Sequence, residues 1–199
     1  MPSSLSGGCA SNPKQAAQED IDKAGPETGL VVGTYARDES GARFDNESFY
    51  FRQVGKRKRY QIGFSTLPFV SINFDFSGAD GCGNLFVIPV PAGRYEFNDF
   101  YVNYTMLGGG MTLSSEKEYS IPFEVKPGKI VYVGEIRIER TKGASLLGLY
   151  SQDSVDFRIS DAHERDLEIF KKLYPGNKMD VDLAKYDSAA GTSLVKVLY

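Results

Sequence analysis

The chain has 199 residues, a net charge of −3, thirteen Phe, twelve Tyr, no Trp and 21 Gly. That length can bury one sizeable core without metals or disulfide staples, and the small net charge argues against the concentrated basic surface that nucleic acid requires. Two cysteines, Cys9 and Cys82, exclude a disulfide framework and leave a single bridge open.

Near the start, Leu5-Ser6-Gly7-Gly8-Cys9 resembles the lipobox of bacterial lipoproteins, where small residues before a cysteine permit cleavage and the thiol takes a lipid anchor. The aliphatic residue stands four places before the cysteine instead of three, and no basic or apolar leader precedes it in this sequence. The stretch from Ala10 to Gly29 is rich in Ala, Gln, Asp, Lys and Pro, the composition of a solvated spacer. Residues 1–28 therefore read as a disordered tether, and 29–199 as one domain. A helical turn across Gln15 to Lys23 would have little to pack against.

From Gly29 the pattern is that of strands. Leu30 to Ala36, Ser48 to Val54, Tyr60 to Phe64 and Phe69 to Phe76 are apolar or alternating. Asn84 to Val90 is strongly apolar and expected to be a central strand. Pro91-Ala92-Gly93 is a tight turn from which Arg94 to Phe97 leaves in a new direction, followed by Phe100 to Tyr104. Glu118 to Val125 and Lys129 to Arg140, joined through Lys126-Pro127-Gly128, form the clearest expected hairpin, with a type I or II turn. Ser145 to Tyr150 and Val155 to Ile159 are further short strands.

At Asp161 the apolar period changes from two to about 3.6. Asp161 and Glu164 have capping-box spacing, Leu167, Phe170 and Tyr174 form a stripe with Ile169 and Leu173, and Pro175-Gly176 ends a helix over 161–174. That helix packs its stripe against the sheet. Val181 to Ala184 and Ser193 to Tyr199 are short apolar pieces, the last suited to an edge strand.

The catalytic vocabulary is thin. His163 is the sole histidine, in the first helical turn, where a boundary position outweighs a general base. No Cys-x-x-Cys or second histidine offers metal ligands, and no Gly-x-Ser-x-Gly elbow occurs. Cys82, in a turn-like stretch, has no neighbouring base to make it a nucleophile. Asn73 to Asn84 imitates the start of a calcium loop but ends in an amide where a chelating glutamate is needed. Asp75, Asp80, Glu96, Asp99, Glu135 and Asp153 are carboxylates whose pairing the sequence does not reveal. Two loops offer surface contact instead: the basic tip Lys56, Arg57, Lys58 and Arg59, suited to anionic headgroups, and Gly108, Gly109 and Gly110, a mobile loop with no following lysine or helix to cradle phosphate. No catalytic residue, cofactor or metal is assigned.

Taken together, Cys9, the tether, Pro91-Ala92-Gly93-Arg94-Tyr95 and Phe123 to Gly134 with its Pro127-Gly128-Lys129 turn resemble uncharacterised bacterial envelope lipoproteins carrying a small prealbumin-like or Ig-like domain. The resemblance spans Gly29 to Arg158. It implies a mainly β, antiparallel β-sandwich with one C-terminal α-helix. It also implies a cell-envelope location, and says almost nothing about activity. The function expected is that of a non-enzymatic envelope protein, lipid-attached at Cys9 on the periplasmic side or surface, that binds a protein, glycan or lipid partner. A carboxylate-dependent hydrolase, a ligand-carrying barrel and a soluble cytoplasmic or periplasmic protein are the alternatives.

Overall fold

Leu30, Val31 and Val32 are consecutive and apolar, so in a strand they must face both ways, and both faces need cover. The computed structural model, which describes residues 16–22, 25–37, 46–65, 73–78, 81–106, 109–115, 119–141, 154–186 and 195–198, supplies that cover with a second sheet on one side and helices on the other. Val31 and Tyr35 point into the core between the sheets, whereas Leu30 and Val32 point to a smaller core under the helices.

The elements, in chain order, are α1 (Gln18–Asp22), β1 (Thr28–Arg37), β2 (Asn46–Gln53), β3 (Arg59–Ser65), β4 (Phe76–Gly78), β5 (Gly81–Pro91), β6 (Gly93–Met106), β7 (Gly109–Ser114), β8 (Ile121–Val125), β9 (Ile130–Thr141), β10 (Ser154–Ser160), α2 (His163–Leu173), β11 (Val181–Leu183) and β12 (Val195–Leu198). The larger sheet has the order β12-β10-β9-β1-β5-β4, with β11 also on β9. The smaller is β3-β2-β6-β7, with β8 also on β6. The fold is mainly β and built of two separate sheets with their own edges, so the strands do not close into a barrel.

The expected antiparallel arrangement holds for most pairs, but β1 and β11 each run parallel to β9, and β12 runs parallel to β10. The Pro-Gly segment at 127–128 is the larger correction. Its turn is as expected: Lys129 N–H bonds Lys126 O at 3.3 Å and Gly128 has φ 66°, the type II arrangement. Yet β8 pairs with β6 in the small sheet and β9 with β1 in the large one. The turn is a crossing between sheets and not a hairpin. Pro91-Ala92-Gly93 does the same between β5 and β6, and Tyr95 closes that corner by donating its hydroxyl to Pro91 O at 2.7 Å.

Both crossings are held by the entry to β1. Ala92 N–H donates to Glu27 O at 2.7 Å, Gly128 N–H to Thr28 O at 2.9 Å, and Leu30 N–H to Lys129 O at 3.0 Å. The backbones meet so closely that a Cβ on Gly29 would lie 2.6 Å from both Lys126 O and Val125 Cγ1.

Between the sheets the core is aromatic. Phe49 and Phe100 of the small sheet meet Phe157 of the large sheet at centroid distances of 5.1 and 4.9 Å, and Tyr35 meets Phe64 edge-on at 5.2 Å. On the outer face of the large sheet, Phe170 and Tyr174 of α2 join Leu30, Val32, Leu85, Val87 and Ile130. The strand expected to be central, β5, lies between β1 and the three-residue β4. Its apolar run reflects burial on two faces, with Phe86 and Ile88 inward and Leu85 and Val87 under the helices.

Packed chain begins earlier than the composition indicates. Ala16 and Ile21 are buried in the helix-side core, Ala16 N–H bonds Val87 O at 3.0 Å, and the Tyr174 hydroxyl donates to Ala16 O at 2.8 Å. The turn at 18–22 thus has a surface to pack on. Helix α2 starts at His163 with Ala162 as its cap; Asp161 accepts His163 N–H from just outside, at 2.9 Å, and the reciprocal capping-box bond from Glu164 is not made. The buried stripe is Asp166, Phe170 and Tyr174, while Leu173 is 43% exposed. β12 is an edge strand, as expected. Asp80, Asp153, the strand expected at Ser145 to Tyr150 and the first four residues of the one expected at Phe69 to Phe76 lie outside the described residues; Asn73 to Asp75 are not in a strand, and β4 starts only at Phe76.

Gly29→Ala is expected to destabilise the protein by about 1–3 kcal/mol, the usual cost of overpacking, read as a lower urea midpoint. Gly25→Ala, where a Cβ meets nothing within 4 Å, is the control.

Candidate functional site

The two loops offered by the sequence lie apart. Residues 54–58 form the tip between β2 and β3, exposed throughout, at the end of β6 where Gln53 pairs Tyr95. Gly109 and Gly110 pair with Met106 and Thr105 at the other end of the same strand. These two glycines belong to β7 and not to a mobile loop, because backbone pairing to β6 needs no side chain; Gly108 and Cys9 lie outside the described residues. Within the tip, Lys58 Nζ sits 5.1 Å from the centre of the Tyr60 ring, and Arg59 pairs with Asp99 at 2.8 Å. Lys56 and Arg57 have no ion-pair partner among the described residues.

The carboxylates singled out in the sequence mostly hold the sheets together. Asp75 accepts Leu85 N–H at 2.8 Å. Burial opposes the charge of Glu96, but hydrogen bonds from Ser120 and Arg52, at 2.7 and 2.8 Å, win and hold its pKa below the ordinary value. Asp99 takes Arg59 and Ser115. Glu135 takes Arg137 at 2.8 Å and Arg165 at 2.7 Å. His163 is half-exposed, with Nδ1 2.8 Å from Asp161. Cys82 is buried in β5 and not in a turn. At the calcium-loop imitation, Asn84 donates its amide to Asn73 O at 2.8 Å. Among the described residues no group of three His, Cys, Asp or Glu is placed to hold a metal ion.

Two carboxyls that sequence reasoning missed have their pKa raised by burial. Asp166, fully buried on α2, accepts Thr34 Oγ1 and the Tyr132 hydroxyl, each at 2.8 Å, and pairs with Arg165 at 2.6 Å. Arg165 also reaches Glu135 and lies over the Phe76 ring at 3.8 Å. Burial nevertheless raises the Asp166 pKa, with Arg165 and the two hydroxyls opposing it. Its position four residues before Phe170 and eight before Tyr174 puts it on the apolar stripe, which is the signal that could have found it. The cluster docks the helix onto β1 and β9; removing one member of such a buried pair typically costs about 3–5 kcal/mol.

Glu47, on β2, is the second. It is fully buried between the sheets and takes Arg37 at 3.0 Å and the Tyr35 hydroxyl at 3.5 Å, both from β1. Arg37 in turn lies over Phe64 and Phe74, at 4.9 and 5.3 Å. Desolvation pushes the Glu47 carboxyl up to about 7, against the lowering effect of Arg37. Its position two residues before Phe49 and four before Phe51 puts it on the inward face of β2, which is the signal that could have found it.

A concave surface among the described residues lies elsewhere. A groove of about 700 Å³ opens between β8 and β11, the neighbouring edges of the two sheets, lined by Phe123, Val131 and Ala184 at its base and by Arg94, Lys126 and Lys185 among its walls. Two acids line it as well. Asp182 bonds Lys126 at 2.6 Å, and that hydrogen bond holds its pKa below the ordinary range; Glu124 stands across from Arg94 in the β6–β8 ladder. Glu47 and Asp166, the two described carboxyls whose pKa is raised, do not line the groove. It is a surface suited to holding a ligand.

The folded Glu47 carboxyl keeps its proton to higher pH than the unfolded chain, so between about pH 4.5 and 7 the folded state binds more protons and stability falls as pH rises. The fall is on the order of 3 kcal/mol. Urea midpoints measured across that window are expected to decline less steeply in Glu47→Gln than in the parent; parallel slopes would show that Glu47 does not titrate there.

No protein-family model and no curated protein matches the sequence. Among solved structures, a leucine-rich repeat protein from Bacteroides thetaiotaomicron VPI-5482 is similar over 56% of this chain and 14% of its own, at 11% identity and a TM-score of 0.32, a likeness too small to carry an argument about fold type or function.

Proposed function

We propose that the protein is a non-enzymatic, lipid-tethered module of the bacterial cell envelope, attached through Cys9, whose folded part binds a partner in the groove between β8 and β11. The observation that carries the binding reading is the division of labour among charged groups. Glu47, Glu96, Glu135 and Asp166 are engaged in holding sheets and helix, whereas the groove keeps an apolar base and solvent-exposed walls on which Arg94, Lys126 and Lys185 outnumber Glu124 and Asp182. The anchor rests on the Leu5 to Cys9 resemblance alone. No helix among the described residues is long and apolar enough to cross a membrane, and a lipid anchor requires none.

The same reading takes the two facing sheets as a β-sandwich of the prealbumin-like or Ig-like kind. Support comes from the aromatic core between the sheets and from Tyr95, whose hydroxyl reaches back to the backbone at a crossing between sheets, as the tyrosine of an Ig-type corner does.

The anchor and the groove are separable. Metabolic acyl labelling of the full-length precursor is expected to mark the protein, and Cys9→Ser to abolish both label and membrane partition; partition unchanged by the substitution would sink the anchor. In the Cys9→Ser background, Leu183→Arg, at a position 44% exposed and so compatible with folding, is expected to lower retention on an immobilised envelope fraction at least tenfold. Equal retention would remove the groove as the binding site.

A further inference from the structure

The groove is bounded by backbone as well as side chains. Among the described residues, β11 pairs with β9 alone, on one side. Asp180 O accepts Ile130 N–H and Ala184 N–H donates to Tyr132 O, each at 2.9 Å. In a parallel ladder that register turns the main-chain groups of Asp182 toward β9 and leaves those of Val181 and Leu183 at the open edge. The opposite edge, β8, is blunted by Pro122, which has no N–H to offer. The open edge of β11 is therefore the better place for an added strand.

The register also sorts the side chains. Asp182 stands opposite Val131, which faces the core between the sheets, so it points inward, where it meets Lys126 and Lys129. Val181 and Leu183 stand opposite Ile130 and Tyr132, which face the helices. They remain 38% and 44% exposed. A strand laid along β11 would place alternate residues beside Asp182, toward the cationic groove, and the others beside exposed Val181 and Leu183.

Charge at this end of the molecule is opposite to that of the chain as a whole. Arg94, Lys126 and Lys185 line the groove. Lys129 adjoins it through Asp182, and Arg94 O accepts Val54 N–H at 2.9 Å, which joins the groove to the tip carrying Lys56, Arg57 and Lys58. Against these seven cations the same elements carry Glu27, Glu124, Asp180 and Asp182, of which Asp180 and Asp182 pair with Lys126 and Lys129, in a protein of net charge −3.

Resting on the binding reading above, we propose that the partner is an extended acidic peptide segment, alternating acidic and apolar residues, which adds to β11 as a further strand of the larger sheet. Main-chain bonds to Val181 and Leu183 supply the pairing. Acidic side chains meet the groove cations, and apolar ones cover Val181 and Leu183.

The probe is the acetylated, amidated peptide (Glu-Val)4, titrated into the ¹⁵N-labelled full chain. Expected are shifts of the Val181 and Leu183 amides, affinity that falls as salt is raised, and at least tenfold weakening by Lys185→Glu. The same peptide N-methylated at all four Val amides or at all four Glu amides is the backbone test, and one of the two is expected to lose binding. Equal binding of (Lys-Val)4, or full binding of both methylated peptides, would overturn the proposal, as would the absence of any shift at millimolar peptide. Groove shifts with anionic phospholipid vesicles or a hyaluronan tetrasaccharide, but not with (Glu-Val)4, would also overturn it. The binding reading itself would then stand on the loss of envelope retention in Leu183→Arg.

Discussion

The structure depends on a close approach at the entry to β1. Glu27, Thr28 and Leu30 bond to both crossings between the sheets, and Gly29 lets three backbone segments come within contact distance. A sheet can be twisted and resettled, but two crossings tied to one strand fix how the sheets stand over each other. The aromatic core, Phe49 and Phe100 against Phe157, is then packed in a space whose walls are already set. The helix-side core has its origin in the same strand, because β1 must bury its second face and α1 and α2 are what cover it.

The charged clusters have a common logic. Asp166 ties a helix to the large sheet through Thr34 and Tyr132, Glu47 ties the two sheets to each other through Arg37, and the arginine paired with each rests on an aromatic ring. Both acids are hydrogen-bonded, and burial still raises both pKa values. Such groups add little net stability over an apolar substitute but penalise any arrangement that separates the partners. They specify which elements meet. The groove differs in kind, because its charges can be reached by solvent and by a ligand.

Strands were legible in the sequence wherever one side of the chain needed burial, as in Ile121, Phe123 and Val125 or in Ile136 and Ile138, and the helix announced itself through Phe170 and Tyr174. Partners were less legible. A Pro-Gly turn encodes a change of direction, and the same φ at Gly128 serves a hairpin or a crossing between sheets; only the long-range pairing of β8 with β6 distinguishes them. The segment at 18–22 looked unpackable because the surface that receives Ile21 is assembled from β1, β5 and α2, far away in sequence. The basic tip was visible as a run of like charge. The groove was not, since Arg94, Phe123 and Ala184 come from three separate segments. Asp166 and Glu47 went unread although each shares the spacing of its apolar neighbours, Phe170 and Tyr174 for the one and Phe49 and Phe51 for the other.

The parallel pairing of β1 with β9 joins Leu30 to Ile130 across a hundred intervening positions. During synthesis the first strand, apolar on both faces, emerges long before its partner. Loop closure of that length precedes any gain from the contacts it permits, and chains dominated by such contacts fold slowly. Until β9 arrives, only β5 can pair with β1 in the register of the finished sheet. The order in which the chain leaves the ribosome thus bears on how soon the two sheets can form.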